Sequence, residues 1–386
     1  MQNIGTPRIY VNLHSWAKAI GLISDTNPYF TNSNVLSGED WEGSWQGKLD
    51  DIRAIFENGS NPIKAKTIYG VDDENHSTMS IITQYKTNLS QLMEGNCYLA
   101  LLNHNLASEG ARLNQEIVSG FDAYTSDGSS EDYSGTFTIT GGVNIEAVSG
   151  DRFKIEYDGF SIAHFNYSGE AHNRIYPLFG VNVGDGMAGG EEIKMGGFAF
   201  GNYYDFPHSP ELNAKQSIEM GQLTRHQSVI GGSLSNSMQT KEMWGDLGAW
   251  ELDSPSEQDD ASKLGVRAGK RVWDLSFKYL QGKDALPINA LGNTIFDIDN
   301  ASSYDSTDYT DGGESAYFNS NLLDGEDFFS SVWNKTLGGH LPFIFQPDNT
   351  NNNPDQFAIC KFDQDSLVLK QVANNVYDVK LKIREI

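Results

Sequence analysis

The chain has 386 residues, enough for two or three domains at about 150 residues each, and its 52 acidic against 27 basic side chains leave a formal charge of −25. That balance argues against a protein that grips phosphate backbones, since nucleic-acid binding rests on Lys and Arg displacing counterions, but it suits a conduit along which a polyanion passes without sticking. The two cysteines, Cys97 and Cys360, both lie in apolar strand-like runs, which excludes a disulfide-stapled miniprotein and reads as buried free thiols of a chain assembled in a reducing cytosol.

In chain order, Met1–Tyr10 has no apolar leader core, and no segment reaches the roughly 18 apolar residues of a membrane span. Neither secretion nor membrane insertion is expected, and sites such as Asn88–Ser90 and Asn334–Thr336 are expected to carry no glycan. Leu13, Trp16, Ala17 and Ile20, followed by Gly21, predict a helical turn. Lys48–Glu57, with Leu49, Ile52, Ile55 and Phe56 at helical spacing before Asn58-Gly59, predicts a short amphipathic helix.

Thirty-nine glycines, 17 tyrosines and 20 phenylalanines, spread through short alternating segments between Gly, Asn, Asp and Ser clusters, predict an antiparallel all-β protein with few helices. Asn96–Phe200 reads as a β-sandwich: the doubly apolar run Cys97–Leu102, then Thr136–Thr140 and Phe153–Tyr157, with turns at Gly141-Gly142, Ser149–Asp151 and Asp158-Gly159. From about Gln216 a second β block follows, with alternating Trp273, Leu275, Phe277 and Tyr279, then Leu341–Phe345, Gln356–Phe362 and Leu367–Gln371. A helix starting near Asp324, burying Phe328, Phe329, Val332 and Trp333 and closed by Gly338-Gly339, interrupts it.

The final strand, Val376–Glu385, puts Tyr377, Val379, Leu381 and Ile383 on one face and Asp378, Lys380, Lys382 and Arg384 on the other. A mostly basic outer face in an acidic chain predicts that this sheet meets an acidic neighbour, for example another copy. The expected organisation is an N-terminal segment 1–90, a jelly-roll-like sandwich 91–210 and a second sandwich 211–386, with Glu251–Ala261 and Asp297–Asp327 as long acidic loops.

Candidate chemistry is sparse. Gly184-Asp185-Gly186-Met187-Ala188-Gly189 fits the dinucleotide fingerprint in spacing, but Glu191–Phe200 after it contains Gly196-Gly197 and no helical stripe, so a glycine-rich hairpin loop is expected. Asp297-Ile298-Asp299 opens like a calcium loop yet has Ser302 at the turn position and Asp308 at the twelfth; the carboxylates at 297, 299, 305, 308 and 311 read as a solvated acidic loop, with an irregular cation site as the other reading. No histidine pair has zinc spacing. His104 and His340 are expected to make structural hydrogen bonds in turns.

Glu242, Asp246, Glu251 and Asp253 surround Trp244 and Trp250, a composition found at glycosidase sites but expected by chance in so acidic a chain. Gly231-Gly232-Ser233-Leu234-Ser235 lacks the last glycine of a nucleophile elbow. No residue is therefore expected to be catalytic, to hold a cofactor or to ligate a metal.

Three segments, Arg271-Val272-Trp273-Asp274-Leu275-Ser276-Phe277, Leu337-Gly338-Gly339-His340-Leu341-Pro342-Phe343-Ile344-Phe345-Gln346-Pro347-Asp348 and Tyr377–Glu385, resemble tail proteins of long-tailed bacteriophages, most of all the distal tail protein family of the tail tip. The resemblance covers roughly Gln216–Ile386, with Ala199–Pro210 as weaker support. It implies a non-enzymatic β-sandwich protomer of the virion that closes into a hexameric ring between the tail tube protein and the hub or fibre proteins, and that carries a second, galactose-binding-like jelly roll, here Asn96–Phe200. The ring-forming domain usually comes first in that family, which gives a further expectation: Met1–Ser24 returns to complete the C-terminal sandwich as a split domain. The alternative function is a carbohydrate-binding tail adhesin, with Tyr203, Tyr204 and Trp244 as exposed platforms for a host glycan. A glycan hydrolase is the remaining reading.

Overall fold

Short β-branched and aromatic segments separated by Gly, Asn and Asp can bury their apolar faces only by stacking sheets, and this chain stacks them in layers. The computed structural model describes residues 4–22, 29–32, 66–69, 78–84, 92–93, 95–108, 110, 112–120, 135–148, 152–167, 174–180, 193–219, 224–227, 233–236, 243–244, 267–286 and 327–385. The protein is all-β, as its sequence predicts, with antiparallel pairing throughout the described strands. The first strands are β1 (Arg8–Val11), β2 (Tyr29–Asn32), β3 (Lys66–Tyr69), β4 (Thr78–Gln84), β5 (Gly95–His104), β6 (Arg112–Gly120), β7 (Gly135–Val143), β8 (Ile145–Val148), β9 (Arg152–Ile155), β10 (Gly159–Tyr167), β11 (Arg174–Gly180) and β12 (Ile193–Asp205). They are followed by β13 (Lys215–Glu219), β14 (Thr224–Gln227), β15 (Ser233–Asn236), β16 (Met243–Trp244), β17 (Arg267–Ala268), β18 (Lys270–Gln281), β19 (Phe343–Gln346), β20 (Ala358–Phe362), β21 (Leu369–Ala373) and β22 (Val376–Glu385).

An outer sheet pairs β2 with β4, β4 with β11, β11 with β6, β6 with β9 and β9 with β8. A middle sheet runs β7, β10, β5, β12. Beyond β12 lies β1, and from it the C-terminal sheet continues through β19, β20, β22, β18 and β13, with β21 on the edge of β22. Three apolar cores fill this arrangement. Cys97, Leu99, Leu101, Ile139, Phe165 and Phe200 of the middle sheet face Leu113, Phe153 and helix α1 (Leu13–Ala19). The opposite face, with Tyr98, Ala100, Leu102 and Ile162, packs on Tyr10, Ile344 and Ile359 of the C-terminal sheet. The inner face of the C-terminal sheet, with Trp273, Leu275, Phe277, Phe343, Phe345, Val379, Leu381 and Ile383, encloses the third core.

Helix α1 matches the predicted helical turn; Asn12 caps it by accepting from the backbone N–H groups of His14 and Ser15, and Gly21 follows it at φ 77°. The helix predicted from Asp324 takes a different form, a π-helix over Phe329–Asn334 that buries Val332 and leads into the glycine turn at Gly338 and Gly339. Gly141-Gly142, expected as a turn, lies inside β7, which leaves the outer sheet after Glu116↔Thr138 and joins the middle one at Phe165↔Ile139. Tyr279, expected to continue the buried alternation of β18, is instead exposed. A bulge between Phe277 and Leu280 places it at φ 59° and hands the inward position to Leu280. The Lys48–Glu57 helix, the Gly184–Gly189 loop and the acidic loops at 251–261 and 297–311 lie outside the described residues.

Candidate functional site

The corner where the chain passes from the middle sheet to the C-terminal sheet gathers a group of polar side chains from four strands. β12 pairs with β5 as far as Asn202↔Cys97 and with β1 from Tyr203 to Asp205, so one strand belongs to both sheets. Gly201 makes the passage possible. Its φ is 154°, and a Cβ there would lie 2.3 Å from the carbonyl oxygen of Val11.

Arg8 on β1 holds Asp205 in a fork, with Nε to Oδ1 at 2.6 Å and Nη2 to Oδ2 at 2.7 Å, and its guanidinium lies 4.2 Å from the ring centroid of Tyr203. Asn349 donates to the same carboxylate. Burial works against the charge of Arg8, yet the hydrogen bonds and attraction of Asp205 and Tyr10 outweigh it and push the guanidinium pKa up. Tyr10, fully buried, donates to Gln346 Oε1 at 3.0 Å; its hydroxyl also lies 3.2 Å from His164 Nε2, and its ring stacks on that of His164. Burial raises the phenol pKa, while burial and then Arg8 lower that of His164 to about 4. At neutral pH both are uncharged.

This cluster can clamp: the Arg8–Asp205 fork and the Tyr10 hydroxyl shared by Gln346 and His164 hold neighbouring strands in fixed geometry. Its chemistry is cohesive: β1, β10, β12 and β19 each contribute a member, so the corner is cross-linked by side chains as well as by ladders.

Two further buried ion sites tie the C-terminal sheet. Arg271 on β18 donates to both carboxylate oxygens of Glu385 on β22, and to the carbonyls of Asp355 and Phe357 at 2.5 and 2.8 Å, while lying over Trp273. Lys335, at the end of the π-helix, donates to the Leu92 carbonyl at 2.7 Å and to Asn202 Oδ1 at 3.1 Å, joining that helix to β12. Asn202 in turn donates to the carbonyl of Asn96 and toward Cys97 Sγ. Cys97 and Cys360 are buried free thiols, and burial pushes the Cys97 pKa up.

The residues singled out by sequence fall as follows. His104 is fully buried, its Nδ1 accepting from the Leu106 N–H and its Nε2 2.9 Å from Ser161 Oγ; burial lowers its pKa to about 3. His340 is exposed in the turn after the π-helix. Tyr204, expected as an exposed platform, is a correction. It lies in the core against Phe206 and Phe328, and its hydroxyl donates to the Asp284 carbonyl, because its position on β12 points into the C-terminal core once β1 is paired beside it. Tyr203 is half-buried beneath Arg8, and Trp244 is described only as part of the short ladder β16–β17. Glu242, Asp246, Trp250, Glu251 and Asp253 lie outside the described residues. Among the described residues no three His, Cys, Asp or Glu side chains converge as a metal site, and no described helix is long and apolar enough to cross a membrane.

The sequence reading missed Asn144. At φ 59° it donates from Nδ2 to the carbonyls of Tyr157 and Phe160 and to Ser161 Oγ, and accepts at Oδ1 from the N–H groups of Glu156 and Tyr157. An Asn between two strand-like runs, where a left-handed residue is needed, was the available signal. Comparison of the chain with protein-family models, with curated proteins and with solved structures gives no match.

Proposed function

We propose that the protein is a structural component of a bacteriophage tail tip, a protomer that closes into a ring between the tail tube and the hub or fibre proteins and lets DNA pass. The observation that carries this reading is the position of β1. Residues 8–11 lie between β12 and β19, so the N-terminal stretch completes the same sheet that contains the segments resembling distal tail proteins. The unusual order of segments along the chain is thereby reconciled with a ring-forming unit built from both ends of the sequence. A side-chain-clamped corner suits a part that bears load, and the charge of −25 suits a lumen that repels the DNA backbone.

On this reading the protein acts in the virion, as a homo-oligomer and without catalysis. The glycan-binding reading loses support from the burial of Tyr204 and the coverage of Tyr203 by Arg8. The test is light scattering of the purified full chain followed by negative-stain imaging of the same peak. Closed rings of several copies are expected; a monomer that binds no tube protein sinks the proposal.

A further inference from the structure

The face of the C-terminal sheet that Tyr10, Ile344 and Ile359 press against the middle sheet runs on across β22, β18 and β13, where Val272 is buried but Lys215, Asp274, Lys380 and Arg384 are exposed. Cross-strand partners share a face, so the ladders fix what it displays. Lys215, Asp274 and Lys382 form one row, Arg384 and Lys361 lie in the next, and Lys380 stands opposite Ser276. Five cations stand in these rows beside Asp274. Asp363 and Glu219 reach Lys382 and Arg384 at 2.5 and 2.8 Å, so part of the acidic neighbour that the sequence calls for lies within the chain. Lys361 and Lys380 make no ion pair with any described residue. Beside them β13 pairs only with β18 among the described strands, and Ile218 and Leu212 are exposed along that edge.

We propose that this face is the contact surface for the acidic surface of a second copy of the chain, docked head to tail. The inference rests on the ring reading above and names the side of the ring contact. Two arguments select the occupant. A chain of net charge −25 with a basic face must carry its excess of carboxylates elsewhere, so a second copy presents a complementary surface. An isologous contact would set Lys361 and Lys380 against themselves, so the symmetry must be heterologous, the type that closes into rings or runs on as filaments.

The test uses the purified full chain and the variant Lys215→Glu/Lys361→Glu/Lys380→Glu, with Lys154→Glu/Lys283→Glu as a control that changes charge away from the face. Circular dichroism and thermal melting first establish that all three proteins fold. Light scattering in about 0.1 M and about 1 M salt then reads assembly, the screening length falling from about 10 Å to about 3 Å. The expected result is an oligomer of the natural chain and of the control in low salt, an affinity weakened at least about tenfold for each reversed charge in the face variant, and dissociation in high salt. A face variant that forms the same rings as the natural chain overturns this interface and leaves the ring reading standing. Open filaments abolished by the face variant support the interface and sink the ring, whereas closed pairs overturn the head-to-tail contact. A natural chain that stays monomeric in low salt overturns this interface, and the ring reading falls with it when that monomer also binds no tube protein.

Discussion

Strands β5 and β22 are both ten residues long, yet they are built to opposite rules. In β5 every residue from Cys97 to Leu102 is buried, odd positions facing the outer sheet and even positions facing the C-terminal sheet. In β22 only Val379, Leu381, Ile383 and Glu385 are buried, and the alternate positions from Asp378 to Arg384 carry charge. A strand reports in its sequence how many layers cover it: a continuous apolar run has a neighbour on each face, an alternating one has a neighbour on one. The cost of an error differs accordingly. Between two layers there is no direction in which a misplaced polar group can reach water, whereas a one-sided strand tolerates almost anything on its outer face.

The comparison breaks most severely at the one charge that β22 turns inward. Replacing Glu385 with Ala leaves Arg271 buried without its carboxylate, and denaturant unfolding should show a loss of about 3–5 kcal/mol, as large as for a core aromatic. The middle layer should respond to pH in a way the C-terminal sheet does not. His104 and His164 have folded pKa values of about 3 and about 4, below the ordinary 6.5, so the unfolded chain takes up their protons first as pH falls. Their contribution is intact above about pH 6.5 and declines below it, by about 2 kcal/mol for each histidine and about 4 kcal/mol for the two together on reaching about pH 5. Melting across that window should show the slope, and His104→Gln should halve it.

A smaller effect is expected at the edge of the middle layer. Asn144→Ala removes the partner of two carbonyls and two N–H groups and should destabilise by about 2–3 kcal/mol, with Asn144→Gly recovering the backbone conformation but not the hydrogen bonds. Smallest of all is Lys370→Gln on β21, where an exposed side chain opposite Asp378 should shift stability by less than about 0.5 kcal/mol. A loss comparable with that of Asn144 there would mean that the outer face of the C-terminal sheet is covered in the isolated chain.

Periodicity made the strands with the plainest burial patterns legible. The run Cys97–Leu102 and the alternations Trp273–Phe277 and Val379–Ile383 depend only on burial, and burial writes itself into consecutive residues. What was not legible depends on residues far apart. Tyr279 reads as a core position until the bulge before Leu280 reverses the phase, and Tyr204 reads as a surface aromatic until β1 is placed beside it. The Arg8–Asp205 pair spans 197 positions, and neither residue has a local pattern that announces the other. Asn144 was readable in principle, since a left-handed Asn between strands is a recognisable device, but the two glycines just before it carried the stronger turn signal.

The sheet-to-sheet corner also imposes a schedule. Tyr10 is translated 336 positions before Gln346, the residue its hydroxyl bonds, which at roughly 5–20 residues per second is a delay of about 20–70 s. Throughout that interval Ile9, Tyr10 and Val11 have no β19 to pair with, and the C-terminal sheet stays open until β19 has been made. A strand made early must therefore wait for one made late, and the clamp at the corner closes only when that distant partner arrives.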